Sequence, residues 1–113
     1  MQKDIVSYFL ELIAIDSESQ NERAMIDRLK QDLQDLGAEV VIEDGCQSLS
    51  SGNAGNLYAY FPGKIEKAPI LLCAHVDTVT PGNGIKARIE EGRIVTDGTT
   101  ILGGDDKSVL LES

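Results

Sequence analysis

A chain of 113 residues can build one small domain around one hydrophobic core, and is shorter than most two-domain enzymes. Nineteen acidic against ten basic residues give a formal net charge of -9, which argues against nucleic acid and anionic membrane surfaces as partners and is compatible with binding cations. No apolar run approaches the ~20 residues needed to span a bilayer.

From the amino terminus, Met1-Gln2-Lys3-Asp4 leads into an amphipathic stretch rather than the h-region and cleavage site of a signal peptide. Ile5, Phe9, Leu12 and Ile13 fall at helical spacing, and the pattern ends near Asp16-Ser17-Glu18-Ser19. A second helix is expected from about Asn21 to Leu36, with Ser19 or Asn21 as its cap, Glu22 and Asp27 suiting the helix dipole, and Gly37 supplying a left-handed end. The period then changes to strands at Ala38 to Glu43 and Asn56 to Phe61, separated by a Gly/Ser/Asn-rich loop.

Ile70 to Ala74 reads as a short apolar strand covered on both faces, the centre of a mainly parallel sheet. Lys86 to Glu90 and Arg93 to Thr96 form a hairpin around Glu91-Gly92, and a further helix opens at Lys107. That helix is unfinished, which predicts exposed apolar surface at Val109, Leu110 and Leu111 and association there, for example as a homodimer. Cys46, in the polar loop, and Cys73, in the apolar run, lack Cys-x-x-Cys spacing and read as free thiols of a cytoplasmic protein.

Two motifs carry the candidate chemistry. The only histidine, His75, stands two residues before Asp77, so a period of two puts imidazole and carboxylate on the same side of an extended chain. A carboxylate on one ring nitrogen fixes the tautomer of a histidine whose other nitrogen binds a metal. The same pair also serves simply to close a strand end. Thirty residues after His75, Gly103-Gly104-Asp105-Asp106-Lys107 follows the apolar pair Ile101-Leu102, and the glycines permit a tight turn and close backbone approach. An aspartate there suits a ligand shared by two cations, and equally an Asx turn or helix cap.

Ala74-His75-Val76-Asp77-Thr78-Val79, with Thr96-Asp97-Gly98-Thr99-Thr100-Ile101-Leu102-Gly103-Gly104-Asp105-Asp106-Lys107, resembles the co-catalytic zinc exopeptidases that include peptidase T, carboxypeptidase G and the aminoacylases. The Asp-Gly-Thr-Thr segment is closest to the peptidase T branch, and the resemblance runs over essentially the whole chain. It implies an α/β three-layer sandwich with a mixed, mostly parallel sheet, of which residues 1–113 form the amino-terminal, incomplete part.

The resemblance further implies two zinc ions, a short peptide substrate, His75 as ligand to one zinc, Asp77 as the acid that orients His75, and Asp105 as the bridging aspartate. The peptide bond after that aspartate is expected to be cis. The Glu-Glu pair carrying the general base, a further acidic ligand and a second histidine are expected beyond Ser113, and Ser108-Val109 departs from the family's usual Ser/Ala-Gly step. The isolated chain is therefore expected to be inactive as a peptidase. A non-catalytic α/β module with a structural or interaction role is the alternative.

Overall fold

A computed structural model describes residues 4–45 and 52–111. The first element, α1 (Ile5–Ala14), starts at Asp4, whose side chain accepts the Ser7 N–H, and buries Leu12 and Ile13. Helix α2 (Arg23–Asp35) buries Met25, Ile26 and Leu29 on one face, and Gly37 follows it with φ +98°.

Neither Ser19 nor Asn21 caps α2: the N-cap is Glu22, without a side-chain cap bond, and the Arg23 N–H is instead satisfied by Asn53 Oδ1 at 3.0 Å. The Ser19 hydroxyl is engaged elsewhere, as described below. Strands β1 (Val40–Glu43) and β2 (Leu57–Tyr60) pair antiparallel, with Val40 opposite Tyr60 and Glu43 opposite Leu57. Their ladder is tied to α2 through Glu43. Its carboxylate takes Arg23 Nη2 and Lys30 Nζ on one oxygen, at 2.5 and 2.6 Å, and the Gly55 N–H on the other at 2.9 Å.

The second hairpin forms as the sequence predicts. Strands β3 (Ala87–Glu90) and β4 (Arg93–Thr96) pair antiparallel around Glu91 and Gly92, whose φ values of 50° and 75° are those of a type I′ turn. Helix α3 (Gly104–Leu110) begins with non-helical Asp105 and Asp106 and continues through Lys107.

The α/β class holds, but the sheet expectation requires correction. Both ladders are antiparallel pairs, and the parallel pairing among the described residues is limited to one bridge between Glu18 and Thr78. Ile70 to Ala74 is not a strand, and Ile70 and Leu71 are 85% and 82% exposed. The cause is the lack of neighbours: no described strand lies alongside to take its backbone hydrogen bonds and cover its side chains. Cys73, expected inside, is accordingly exposed and is a free thiol. Cys46 lies outside the described residues.

The core lies between the helices, where Leu12, Met25 and Leu29 are buried with Tyr8, Ile15, Leu57, Val76, Leu110 and Leu111 packed around them. Leu110 and Leu111 thus correct a second expectation. They are half-buried against α1 and α2 because α3 packs on α1, while the side chain of Val109 lies outside the described residues.

Lys107, wholly buried, reaches from α3 to the end of α1, where its ammonium donates to the Leu12 and Ile15 carbonyls at 3.0 Å each. These carbonyls lie at the carboxyl end of α1, where a cation also suits the dipole, and the Leu12 oxygen is shared with the Ile15 N–H at 3.2 Å. Burial pushes the ammonium down to about 8, against the attraction of Asp16.

Candidate metal centre

Val76 packs against the core, and its neighbours His75 and Asp77 turn together toward a small open pocket lined also by Thr78, Val79, Ile101, Gly103, Gly104 and Asp105. The period-two reading of His-Val-Asp is therefore correct although the segment lacks strand pairing. The acidic motif closes the pocket because Gly103, at φ +77°, turns the chain beside Thr78. A Cβ there would sit 3.1 Å from Thr78 Cγ2 and 3.2 Å from Ile85 Cδ1.

The His75 ring is held from one side and offered to the other. Nδ1 lies 3.1 Å from Asp77 Oδ1 and 3.2 Å from the Asp77 carbonyl oxygen. Nε2 faces Asp105 Oδ1 at 3.3 Å and Asp106 Oδ2 at 3.9 Å. Partial burial pulls the imidazole pKa down, but the Asp77 backbone hydrogen bond and the charges of Asp106, Asp77 and Asp105 outweigh it and raise the pKa above its ordinary value. The peptide bond between Asp105 and Asp106 is cis.

His75, Asp77 and Asp105 thus come together, as the motifs predict. Two further residues join them. Asp106 accepts the His75 backbone N–H at 3.3 Å, and one ligand atom each from His75, Asp105 and Asp106 can be chosen so that all three lie within 4.8 Å of one another. The Asp-Asp doublet was the available signal for it. Ser19 donates its hydroxyl to Asp77 Oδ2 at 2.5 Å. Nothing in local sequence marks that contact, which spans 58 residues.

The donor set fits a zinc ion. One imidazole nitrogen and two carboxylates are ordinary zinc ligands, and a carboxylate on the opposite ring nitrogen leaves the Nε2 lone pair for the metal. The pocket mouth is open, with the Asp105 side chain 93% exposed, so an ion has a way in.

Comparison with known proteins gives the chain its relatives. No family model matches it. It is 43% identical over 109 residues to the uncharacterised protein YqjE of Bacillus subtilis, covering 96% of this chain and 29% of YqjE. Among solved structures it superposes on the aminopeptidase PepT of Bacillus cereus with a TM-score of 0.84 and 40% identity, over 95% of this chain and 29% of that one. A tripeptidase of Staphylococcus aureus matches with a TM-score of 0.89 and 38% identity, over 96% of this chain and 30% of its own. The chain thus spans less than a third of the length of each relative it matches. In sequence and in fold it is peptidase T-like, corresponding to a segment of these larger chains.

Proposed function

We propose that this chain supplies part of the metal centre of a zinc-dependent exopeptidase that hydrolyses short peptides, in the manner of a tripeptide aminopeptidase. The observation that carries the proposal is the convergence of His75 Nε2, Asp105 and Asp106, with Asp77 on the far side of the ring. His75 and Asp105 would be the protein ligands offered here, Asp105 being the one suited to share two ions, and Asp106 is poised beside them. Zinc bound there would supply Lewis acidity toward a peptide carbonyl and lower the pKa of its water. Asp77 orients the imidazole and keeps the Nδ1 proton, while Asp106 holds the His75 backbone N–H and with it the register between the two motifs.

In this reading the remaining ligands and the general-base glutamate belong to parts of a larger catalytic domain not represented in residues 1–113, a three-layer sandwich in which Ile70 to Ala74 is an interior strand. The length of the relatives and the high exposure of Ile70 and Leu71 support it. Without that general base, this chain alone is expected to show negligible peptidase activity. Robust, chelator-sensitive hydrolysis of a tripeptide by the purified chain would contradict that expectation.

The function is tested by a chimaera in which this chain replaces the matching segment of the Bacillus cereus aminopeptidase. Aminopeptidase activity that is abolished by chelator and by His75→Ala is expected. A folded, zinc-loaded chimaera without activity would refute the assignment.

A further inference from the structure

We propose that Ser19 is a positioning residue for this centre: its hydroxyl holds one carboxylate oxygen of Asp77 so that the other joins the Asp77 carbonyl in keeping His75 in the tautomer whose Nε2 is free for a metal. The proposal rests on the zinc reading for its ligand, whereas the Ser19-Asp77-His75 relay is a property of the metal-free chain.

The two oxygens of Asp77 are divided between two partners. Oδ1 faces His75 Nδ1 at 3.1 Å, beside the Asp77 carbonyl oxygen at 3.2 Å, and Oδ2 accepts the Ser19 hydroxyl at 2.5 Å. The terminal torsion of an aspartate is broad, and the Asp77 side chain is 37% exposed, so by itself its carboxylate can turn toward water. A donor pinned on Oδ2 removes that freedom and aims Oδ1 at the ring. The hydroxyl has no comparable alternative, since its other neighbour, the Thr78 carbonyl oxygen, is 3.5 Å away.

Ser19 is itself fixed by its surroundings. Its backbone N–H donates to the Thr78 carbonyl at 3.1 Å, and the Thr78 N–H donates to the Ser17 carbonyl at 2.9 Å. On either side of this bridge, Glu18 accepts the Gly82 N–H at 2.7 Å and the Asn83 side-chain amide at 3.0 Å, and Asp16 accepts the Gly84 N–H at 2.8 Å. Residues 16–19 therefore clasp the loop that follows Asp77, with the Ser19 hydroxyl at the end nearest the imidazole. Because α2 takes no side-chain cap bond, that hydroxyl is not spent on helix capping.

The chain has one histidine, so the imidazole nitrogen NMR spectrum reports His75 alone. At alkaline pH and without metal, the unsubstituted chain is expected to show the Nδ1-protonated tautomer, Ser19→Ala to show a larger Nε2-protonated population, and Ser19→Thr to restore the original spectrum. Zinc affinity by calorimetry is expected to fall roughly tenfold in Ser19→Ala, at the lower end for partners outside the ligand sphere, and to recover in Ser19→Thr.

An unchanged tautomer and unchanged zinc affinity in folded Ser19→Ala would overturn the proposal. So would a mainly Nε2-protonated imidazole in the unsubstituted chain, a result that holds even if the alanine variant fails to fold. If the unsubstituted chain binds no zinc while the tautomer still follows Ser19, the relay stands and the zinc reading alone falls.

Discussion

Replacing Glu43 by alanine should destabilise the chain by about 3 kcal/mol, because one carboxylate joins α2 to the first hairpin. The Glu43 side chain is 8% exposed and accepts from Arg23, Lys30 and the Gly55 N–H. Removing one partner of a buried ion pair costs about 3–5 kcal/mol. The lower end applies because Arg23 and Lys30 are 36% and 37% exposed, so both cations can recover water, and Arg23 retains Asp27 at 2.8 Å.

At an m-value of about 1.5 kcal/mol/M, the urea midpoint followed by far-ultraviolet circular dichroism should fall by about 2 M. The Arg23, Gly55 and Lys30 hydrogen bonds hold the Glu43 carboxyl well below its ordinary value of 4.5, against the opposing effect of burial. A depressed folded-state pKa gives stability that is complete above the unfolded value and is lost as pH falls through the acid range. The stability gap between the unsubstituted chain and Glu43→Gln should therefore be full at neutral pH and narrow progressively below about pH 4.5. A midpoint unchanged in Glu43→Ala, or a Glu43→Gln gap that widens on acidification, would refute the reasoning.

Gly103→Ala should cost about 1–3 kcal/mol, since it puts a side chain at φ +77° and a Cβ 3.1 Å from Thr78 Cγ2. Thr78 follows Asp77, so calorimetry should also record weaker zinc binding; an unchanged urea midpoint would contradict the strain argument. Lys107→Ala should cost about 2–4 kcal/mol by opening a cavity and taking the ammonium from the Ile15 carbonyl, while the Leu12 carbonyl keeps the Ile15 N–H, with α1 fraying first in amide hydrogen exchange. Uniform protection across α1 in that variant would show that the lysine does not hold the helix end.

What the sequence revealed follows the range of the interactions. The period of Leu12 and Ile13, the left-handed Gly37 and the Glu91-Gly92 turn are set within a few residues, and each lies where the pattern predicts. His75 and Asp77 were legible for the same reason, because alternation needs only a locally extended chain. The apolar run at Ile70 to Ala74 is unpaired among the described residues: composition records a preference for burial, whereas a strand also requires another strand beside it. Lys107, where the sequence places only the opening of a helix, is buried against the end of α1, 92 to 95 residues earlier in the chain, a contact no local pattern marks. Ser19 is the same case at the metal centre: a plausible cap by sequence, it is drawn to Asp77 by the clasp of residues 16–19 on the loop after the histidine.

The central claim is that two motifs thirty residues apart already form a metal-binding centre in this chain. Zinc titration by calorimetry on the purified chain, beside His75→Ala and Asp105→Asn, tests it most directly. Saturable binding that is lost in both variants is the predicted result. A folded chain that takes up no zinc, or binding that survives both substitutions, would contradict it.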